Sequence, residues 1–279
     1  MYCQRRGHNS RRLIKDVGTA MQQQLTQKAS YPTLRDKVVF ISGGGTGIGE
    51  RMVERFVWQG AKVAFVDIAI DAGHALVERL RQSDGTAPLF MPCDIRDIQA
   101  LQSCIAKAQQ QFGNIAVLIN NAADDTRHQA EEITVDYWDD RFAVNLRHYF
   151  FAAQAVIPQM QQRGGGSIIN LGSISWRLKQ SCMPAYTTAK AGIEGLTRTL
   201  AGRYGEDFIR VNSLIPGWVM TERQLSRWLD ANTVKEIKSQ QAIKQPLLPD
   251  DIVDMALFLA SDDSRMLTAQ SVIVDGGWV

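Results

Sequence analysis

Tyr186 and Lys190 stand four residues apart in Tyr186-Thr187-Thr188-Ala189-Lys190, so on a helix they share one face. Ser173 lies thirteen residues before Tyr186, just after the apolar run Ser167-Ile168-Ile169-Asn170-Leu171. A buried strand, an exposed turn and a helix would bring a hydroxyl, a phenol and an ammonium together at one strand end. Such a trio suits proton removal from an alcohol. A free tyrosine has a pKa of about 10 and is a poor base at neutral pH. An ammonium one helical turn away favours the phenolate and lowers that pKa, toward the working pH where a base is most effective. Ser173 would hold the substrate oxygen beside the phenol. Taken alone, Tyr186 and Lys190 read equally as two surface residues at a common spacing, so the elements around them must decide.

Those elements begin at Lys37. Lys37 to Ser42 is a β-rich run with little alternation, as in a strand buried on both faces. Gly43-Gly44-Gly45-Thr46-Gly47-Ile48-Gly49 follows, then a helical stretch from Glu50 to Gln59 closed by Gly60. Strand, glycine turn and helix form the setting of a dinucleotide fingerprint. The glycines let backbone N–H groups approach a pyrophosphate, and the helix N-terminus favours its charge. A Walker loop is excluded because no Lys-Ser/Thr pair follows the glycines. A second strand, Ala61 to Val66, ends at Asp67, twenty residues after Gly47. There a carboxylate accepts from both adenosine ribose hydroxyls and repels a 2′-phosphate. No basic residue follows at Ile68, Ala69 or Ile70, which predicts NAD rather than NADP.

Further along, a helix over Asp71–Arg81 and a strand over Ala87–Pro92 lead to Cys93-Asp94-Ile95. Asp94 is either an adenine contact or the N-cap of the helix that starts near Ile98. Ile115–Ile119 is a fourth strand that breaks into Asn120-Asn121-Ala122-Ala123, asparagines suited to tying neighbouring loops together. After a polar loop, one long helix is expected from about Tyr137 to Gln162. Asn145 interrupts its apolar face as a cap, a kink or the holder of a relay water toward Lys190. The organising strand and helix come next. A sixth strand, Phe208 to Ile215, then runs into Pro216-Gly217-Trp218-Val219-Met220-Thr221 at a carboxyl edge, where open α/β sheets bind ligands. Residues 222–246 are a candidate lid. A helix over Pro249–Ala260 and a strand over Ser271–Asp275 complete the pattern.

Length and composition set the bounds. The 279 residues, 45% of them hydrophobic, read as one α/β domain over residues 31–279. The net charge of +2 divides into +5 over residues 1–30 and −3 elsewhere, which gives no sign of nucleic-acid binding. Residues 1–30 are polar and Arg- and Gln-rich, a flexible extension or an overcalled start with Met21 as the natural first residue; an organelle-targeting segment is the other reading. No apolar run reaches the ~18–20 residues of a membrane span. The four histidines and four cysteines lack metal-ligand spacing, and free thiols in a reducing, cytoplasmic setting are expected.

With these pieces in order, the chain resembles the short-chain dehydrogenase/reductase family from roughly Leu34 to Val279. Gly43, Gly47 and Gly49 match its T-G-x-x-x-G-x-G, with Ser42 in place of Thr. Asn120-Asn121-Ala122-Ala123 matches N-N-A-G, with the Gly changed to Ala. Asn145, Ser173, Tyr186 and Lys190 match its catalytic tetrad, and Pro216-Gly217 its nicotinamide-side loop. The resemblance implies a doubly wound Rossmann domain with a seven-stranded parallel sheet and helices on both faces. It implies NAD held by Ser42, Gly43, Thr46, Gly47, Ile48, Gly49, Asp67, Asp94, Ile95, Asn121, Tyr186, Lys190, Pro216, Gly217, Val219 and Thr221, with Lys190 on the nicotinamide ribose. It also implies a homotetramer. Within the family the chain is most similar to bacterial NAD-dependent aldose 1-dehydrogenases acting on pentoses. That likeness rests on Tyr31-Pro32, Asp125 with Arg127-His128, Asn145-Leu146-Arg147-His148, Gly172 to Trp176 and Thr188 to Gly195. It implies oxidation of an aldose at C1 to the aldonolactone, with Asp124, Arg127, Trp176, Met183 and Trp218 as pocket residues. Other NAD-linked alcohol dehydrogenases, acting on polyol, steroid or hydroxyacyl substrates, are the first alternative, and a non-catalytic NAD-binding sensor the second.

Overall fold

The computed structural model describes residues 28–82, 87–228 and 231–279. Seven parallel strands form one sheet: β1 (Val38–Ser42), β2 (Lys62–Asp67), β3 (Leu89–Pro92), β4 (Ile115–Asn120), β5 (Gly166–Leu171), β6 (Ile209–Pro216) and β7 (Ser271–Val274). Their order is β3-β2-β1-β4-β5-β6-β7. The chain therefore winds outward from β1 to β3, returns to the middle and winds the other way. The reversal leaves a crevice between β1 and β4 at the carboxyl ends.

Alternation along each strand builds two cores. Val39 and Ile41 of β1 face one cluster with α1 (Gly47–Trp58), α2 (Ile70–Arg81) and α9 (Pro249–Ala260). Val38 and Phe40 face the other, with α3 (Ile98–Phe112), α5 (His148–Gln162) and α6 (Pro184–Tyr204). Both faces are covered, which is why the strands read as continuous apolar runs. The remaining helices are α4 (Val135–Phe142), α7 (Glu222–Arg227) and α8 (Ala231–Gln240). No helix among the described residues is long and apolar enough to cross a membrane.

Most of the expected extension, residues 1–27, lies outside the described residues. Packing starts before Lys37: Lys28 Nζ sits 2.6 Å from Asp250, and Leu34 is fully buried. The long helix expected from Tyr137 is divided. Residues Ala143–Arg147 form a π turn between α4 and α5. Asn145 Nδ2 donates to the Arg141 carbonyl at 3.0 Å, the acceptor that a backbone N–H four residues on would otherwise take. The side chain displaces the regular ladder, and the kink reading of Asn145 is the one observed. Asp94 does not cap α3. Asp97 does, accepting from Ala100 N at 3.0 Å.

Gly49 is where β1 and α1 press together. A Cβ there would lie 1.8 Å from the Gly43 carbonyl oxygen. In an exposed helix, Gly→Ala stabilises by about 1 kcal/mol; here the clash reverses the sign. Gly49→Ala is expected to lower stability by about 1–3 kcal/mol in urea unfolding and to weaken nucleotide binding. An unchanged unfolding midpoint would refute the packing.

His148 is completely buried at the start of α5, its Nε2 donating to the Ala122 carbonyl at 3.1 Å. Burial, and next the Lys190 charge, push its pKa down from 6.5 to about 3. Between those values the unfolded chain binds a proton that the native chain does not, so stability falls as pH drops from 6.5 toward 3. From pH 7.5 to pH 5, His148 should account for about 2 kcal/mol of lost stability. Urea midpoints of His148→Gln should show that much less pH dependence; equal slopes would contradict a neutral buried imidazole.

Candidate active site

Loops from the carboxyl ends of β1, β4, β5 and β6 line one cleft, with α7 across it. Ser173 follows β5, and its Oγ accepts from Ser175 N at 3.1 Å, capping a 3-10 turn over Ile174–Trp176. Pro184 opens α6, where its missing N–H is no loss. Tyr186 and Lys190 occupy the first turns of that helix, and the Ser173 hydroxyl lies near enough to the Tyr186 phenol to favour its ionised form. All three side chains line the cleft, as the spacing predicts.

Their protonation differs from the expectation. Burial raises the Tyr186 pKa above its ordinary value, and Asp125 adds to this; the Ser173 hydroxyl, Arg127 and Arg223 pull the other way. Burial also brings Lys190 down to about 7, opposed by Asp125. Lys190 Nζ donates to the Leu171 carbonyl at 2.8 Å and to Tyr149 Oη at 3.0 Å, and stands 5.6 Å from the Tyr186 ring centre. In this structure desolvation outweighs the expected charge effect of Lys190 on the phenol. The guanidiniums acting on the phenol come from the β4 loop and α7.

The glycine turn fits a dinucleotide. Gly43 and Gly47 have φ of +68° and +60°, and an added Cβ at Gly43 would meet Ala122 Cα at 2.8 Å. The turn delivers the N-terminus of α1 to the carboxyl edge, with Thr46 exposed beside it and Ile48 lining the cleft. Asp67 accepts from Gly45 N and Ala69 N, each at 2.8 Å, so its carboxylate is fixed beside the turn with lone pairs to spare. Asn121 Nδ2 donates to the Gly43 carbonyl at 2.8 Å and ties the β4 loop to the turn. Pro216, Gly217, Val219 and Thr221 wall the cleft on the β6 side.

Several expected contacts have other roles. Ser42 is buried, and its Oγ accepts from Asn121 N and Ala122 N; it joins β1 to β4 rather than facing a ligand. The Ile95 side chain belongs to the core. Asp94 pairs with Arg96, which holds its carboxyl below the usual range. Asn145 has both amide N–H groups engaged, with Arg141 and Asp124 carbonyls, and accepts from Asp124 N at 2.9 Å. It positions the β4 loop, and its side chain has little capacity left for a relay water.

Among the pocket residues, Arg127, Met183 and Trp218 line the cleft, whereas Asp124 and Trp176 do not. Asp124 is held by Thr126, Arg141 and Arg223; burial acts to raise its pKa, and the bonds from Thr126 and Arg141 outweigh that and depress it. Trp176 lies under the Arg177 guanidinium, 4.7 Å away. Asp125, Gln180, Arg223, Gln224 and Trp278 line the cleft in addition. The lid segment hinted at Arg223 and Gln224. Nothing local marks Trp278, which follows two glycines at φ of +70° and +78°. Among the described residues no group of three His, Cys, Asp or Glu is placed to hold a metal.

The site can therefore bind a dinucleotide along the glycine turn and hold a hydroxyl against Ser173 and Tyr186. The comparisons agree. The family profile described as enoyl-(acyl carrier protein) reductase matches residues 43–279. The chain is 48% identical to a probable galactose dehydrogenase, GalD, of Rhizobium meliloti (strain 1021), over 89% of this chain and 97% of that protein. It is 43% identical to a D-xylose 1-dehydrogenase of Caulobacter vibrioides, over 90% of this chain and 98% of that one. Among solved structures, a 7α-hydroxysteroid dehydrogenase complexed with NADH and 7-oxo glycochenodeoxycholic acid superposes with a TM-score of 0.84 at 29% identity, covering 88% of this chain and 96% of the other. The chain belongs to the short-chain dehydrogenase/reductase family, and its chemistry is that of an oxidoreductase acting on CH–OH.

Proposed function

We propose that this protein oxidises the C1 hydroxyl of a cyclic aldose to the aldonolactone with NAD. The observation that carries the reading is the cleft itself. Ser173 and Tyr186 share the cleft with the polar side chains of Asp125, Arg127 and Gln224 and with Trp218. Such a lining suits a polyhydroxylated ring better than a steroid or an acyl chain, because an apolar ligand would leave buried polar groups unpaired. The sugar substrates in the names of the two relatives support the same class.

Ser173 and Tyr186 grip the C1 oxygen; Tyr186 acts as its phenolate, its own proton having first left to solvent through the cleft, and Oη then takes the hydroxyl proton as the C1–O bond becomes a carbonyl. NAD, when bound, supplies the hydride acceptor and a positive ring. In the free chain the phenol is held protonated by burial, and the Ser173 hydroxyl, Arg127 and Arg223 act against that. Lys190 would hold the nicotinamide ribose and Asp67 the adenosine ribose, where a carboxylate favours NAD over NADP.

Reduced-coenzyme absorbance across a panel of aldoses, polyols and apolar secondary alcohols tests the substrate class. Aldoses should be turned over far better than the others, and a preference for apolar alcohols would overturn the reading. Tyr186→Phe should lower kcat by about 10²–10⁴-fold with folding intact, measured by steady-state kinetics; near-normal kcat would refute the base. Asp67→Ala removes charge-assisted bonds of about 1.5–3 kcal/mol, so the KM for NAD should rise by roughly 10–100-fold. An unchanged preference for NAD over NADP in that variant would refute the role of Asp67.

A further inference from the structure

Asp124 and Asp125 are neighbours with different fates. Asp124 is engaged by Thr126, Arg141 and Arg223 and is not among the residues lining the cleft. Asp125 lines the cleft. Its Oδ2 accepts from Gln224 Nε2 at 2.6 Å and Arg127 Nη1 at 3.2 Å, and its Oδ1 lies 3.2 Å from Arg223 Nη2. A carboxylate offers about four acceptor positions, so one on Oδ1 remains.

Arg127 complements it. Nη1 makes all of its hydrogen bonds within the described residues: to the Asp125 carbonyl at 2.7 Å, the Asp125 carboxylate and Met183 Sδ. Its Nε and Nη2 make no hydrogen bond among the described residues, and the side chain lines the cleft. The guanidinium plane is held 4.9 Å from the Trp228 ring centre and 5.7 Å from that of Trp218. Two aromatic faces fix the fork in place, as a cation–π contact does. Every guanidinium named in this lining already faces a carboxylate, so the lining does not recruit an anion such as a sugar phosphate. It offers one acceptor and one donor edge side by side.

We propose that Asp125 and Arg127 form a charge-paired reader of two adjacent hydroxyls on the ring carbons away from C1, and so set sugar specificity. Asp125 accepts a hydrogen bond from one hydroxyl while Arg127 donates one to the oxygen of its neighbour. Arg223 and Gln224, arriving from α7, hold the Asp125 carboxylate in register, so the lid helix completes the reader. The inference rests on the aldose reading above and adds to it which side chains distinguish one neutral sugar from another.

The test is a coupling measurement. First, kcat/KM is determined for wild type with the best aldose and with each of its single-deoxy derivatives. The same set is then measured with Asp125→Asn and Arg127→Met. The influence of Asp125 on Tyr186 is common to all the sugars and cancels in each ratio. At each of two adjacent positions, removing the hydroxyl should lower kcat/KM about 30-fold in wild type, mainly through KM, and about 3-fold or less in the variant that lacks that hydroxyl's partner. Equal losses in wild type and both variants at every position would overturn the reader while leaving aldose oxidation standing. Absence of any aldose turnover by wild type would overturn both. A second measurement avoids variants altogether. Methyl glycosides, blocked at C1, should perturb the emission of the tryptophans packed on Arg127, and removal of a sensitive hydroxyl should weaken binding by about tenfold. Equal binding of the two glycosides would also refute the proposal.

Discussion

The constraint on which this architecture depends is a lysine ammonium buried in the heart of the site. Lys190 is 2% exposed, deep at the carboxyl end of β5. An isolated ammonium there would carry a desolvation penalty of several kcal/mol. Two acceptors meet it, the Leu171 carbonyl at the last position of β5 and the Tyr149 hydroxyl from α5. Tyr149 in turn donates to the same carbonyl at 3.0 Å. Strand, α5 and α6 are thereby fixed to one another at a single point. A second buried chain reinforces it: Asn120 Nδ2 donates to Asn170, and Asn170 Nδ2 to Thr197, linking β4, β5 and α6. The polar residues inside these apolar strands are the fastening of the catalytic floor.

The same burial sets the chemistry. Desolvation acts on the phenol at the floor of the cleft and on the buried ammonium alike, and both are pushed toward their neutral forms. The pair is consequently sensitive to charges introduced at the mouth of the cleft. Asp125 raises the phenol, while Arg127 and Arg223 lower it. These are also side chains of the lining that a substrate would touch. Binding and proton transfer are thus coupled through one electrostatic neighbourhood, and α7, which carries Arg223, contributes to both.

Much of this was legible in the chain. The glycine turn, Asp67 at its offset, and the four-residue step from Tyr186 to Lys190 are local patterns, and local patterns survive reading without a structure. Helix and strand periods placed the seven strands within two residues of where they lie, and α2, α3 and α9 within one; α1 begins three residues earlier than read. What failed was whatever depends on partners distant in sequence. Lys190 was expected to serve the phenol one turn away, yet its acceptors are nineteen and forty-one residues distant. Asp125, not Asp124, lines the cleft because Asp124 is engaged by Thr126 and Arg141, partners that a sequence does not mark. Ser42 matched a motif position, but its hydroxyl is taken by Asn121 and Ala122 across the sheet. The π turn at Asn145 was within reach as a kink, since an amide that competes for a backbone carbonyl is a local event.

The most direct test of this account is the protonation of Lys190 itself. In protein labelled with [ε-13C]lysine, with Lys190→Met identifying the resonance, the account predicts that one signal of the coenzyme-free protein titrates with a midpoint near 7. A midpoint near the ordinary lysine value of 10.5 would contradict it, because burial would then not govern the charges at the floor of the site.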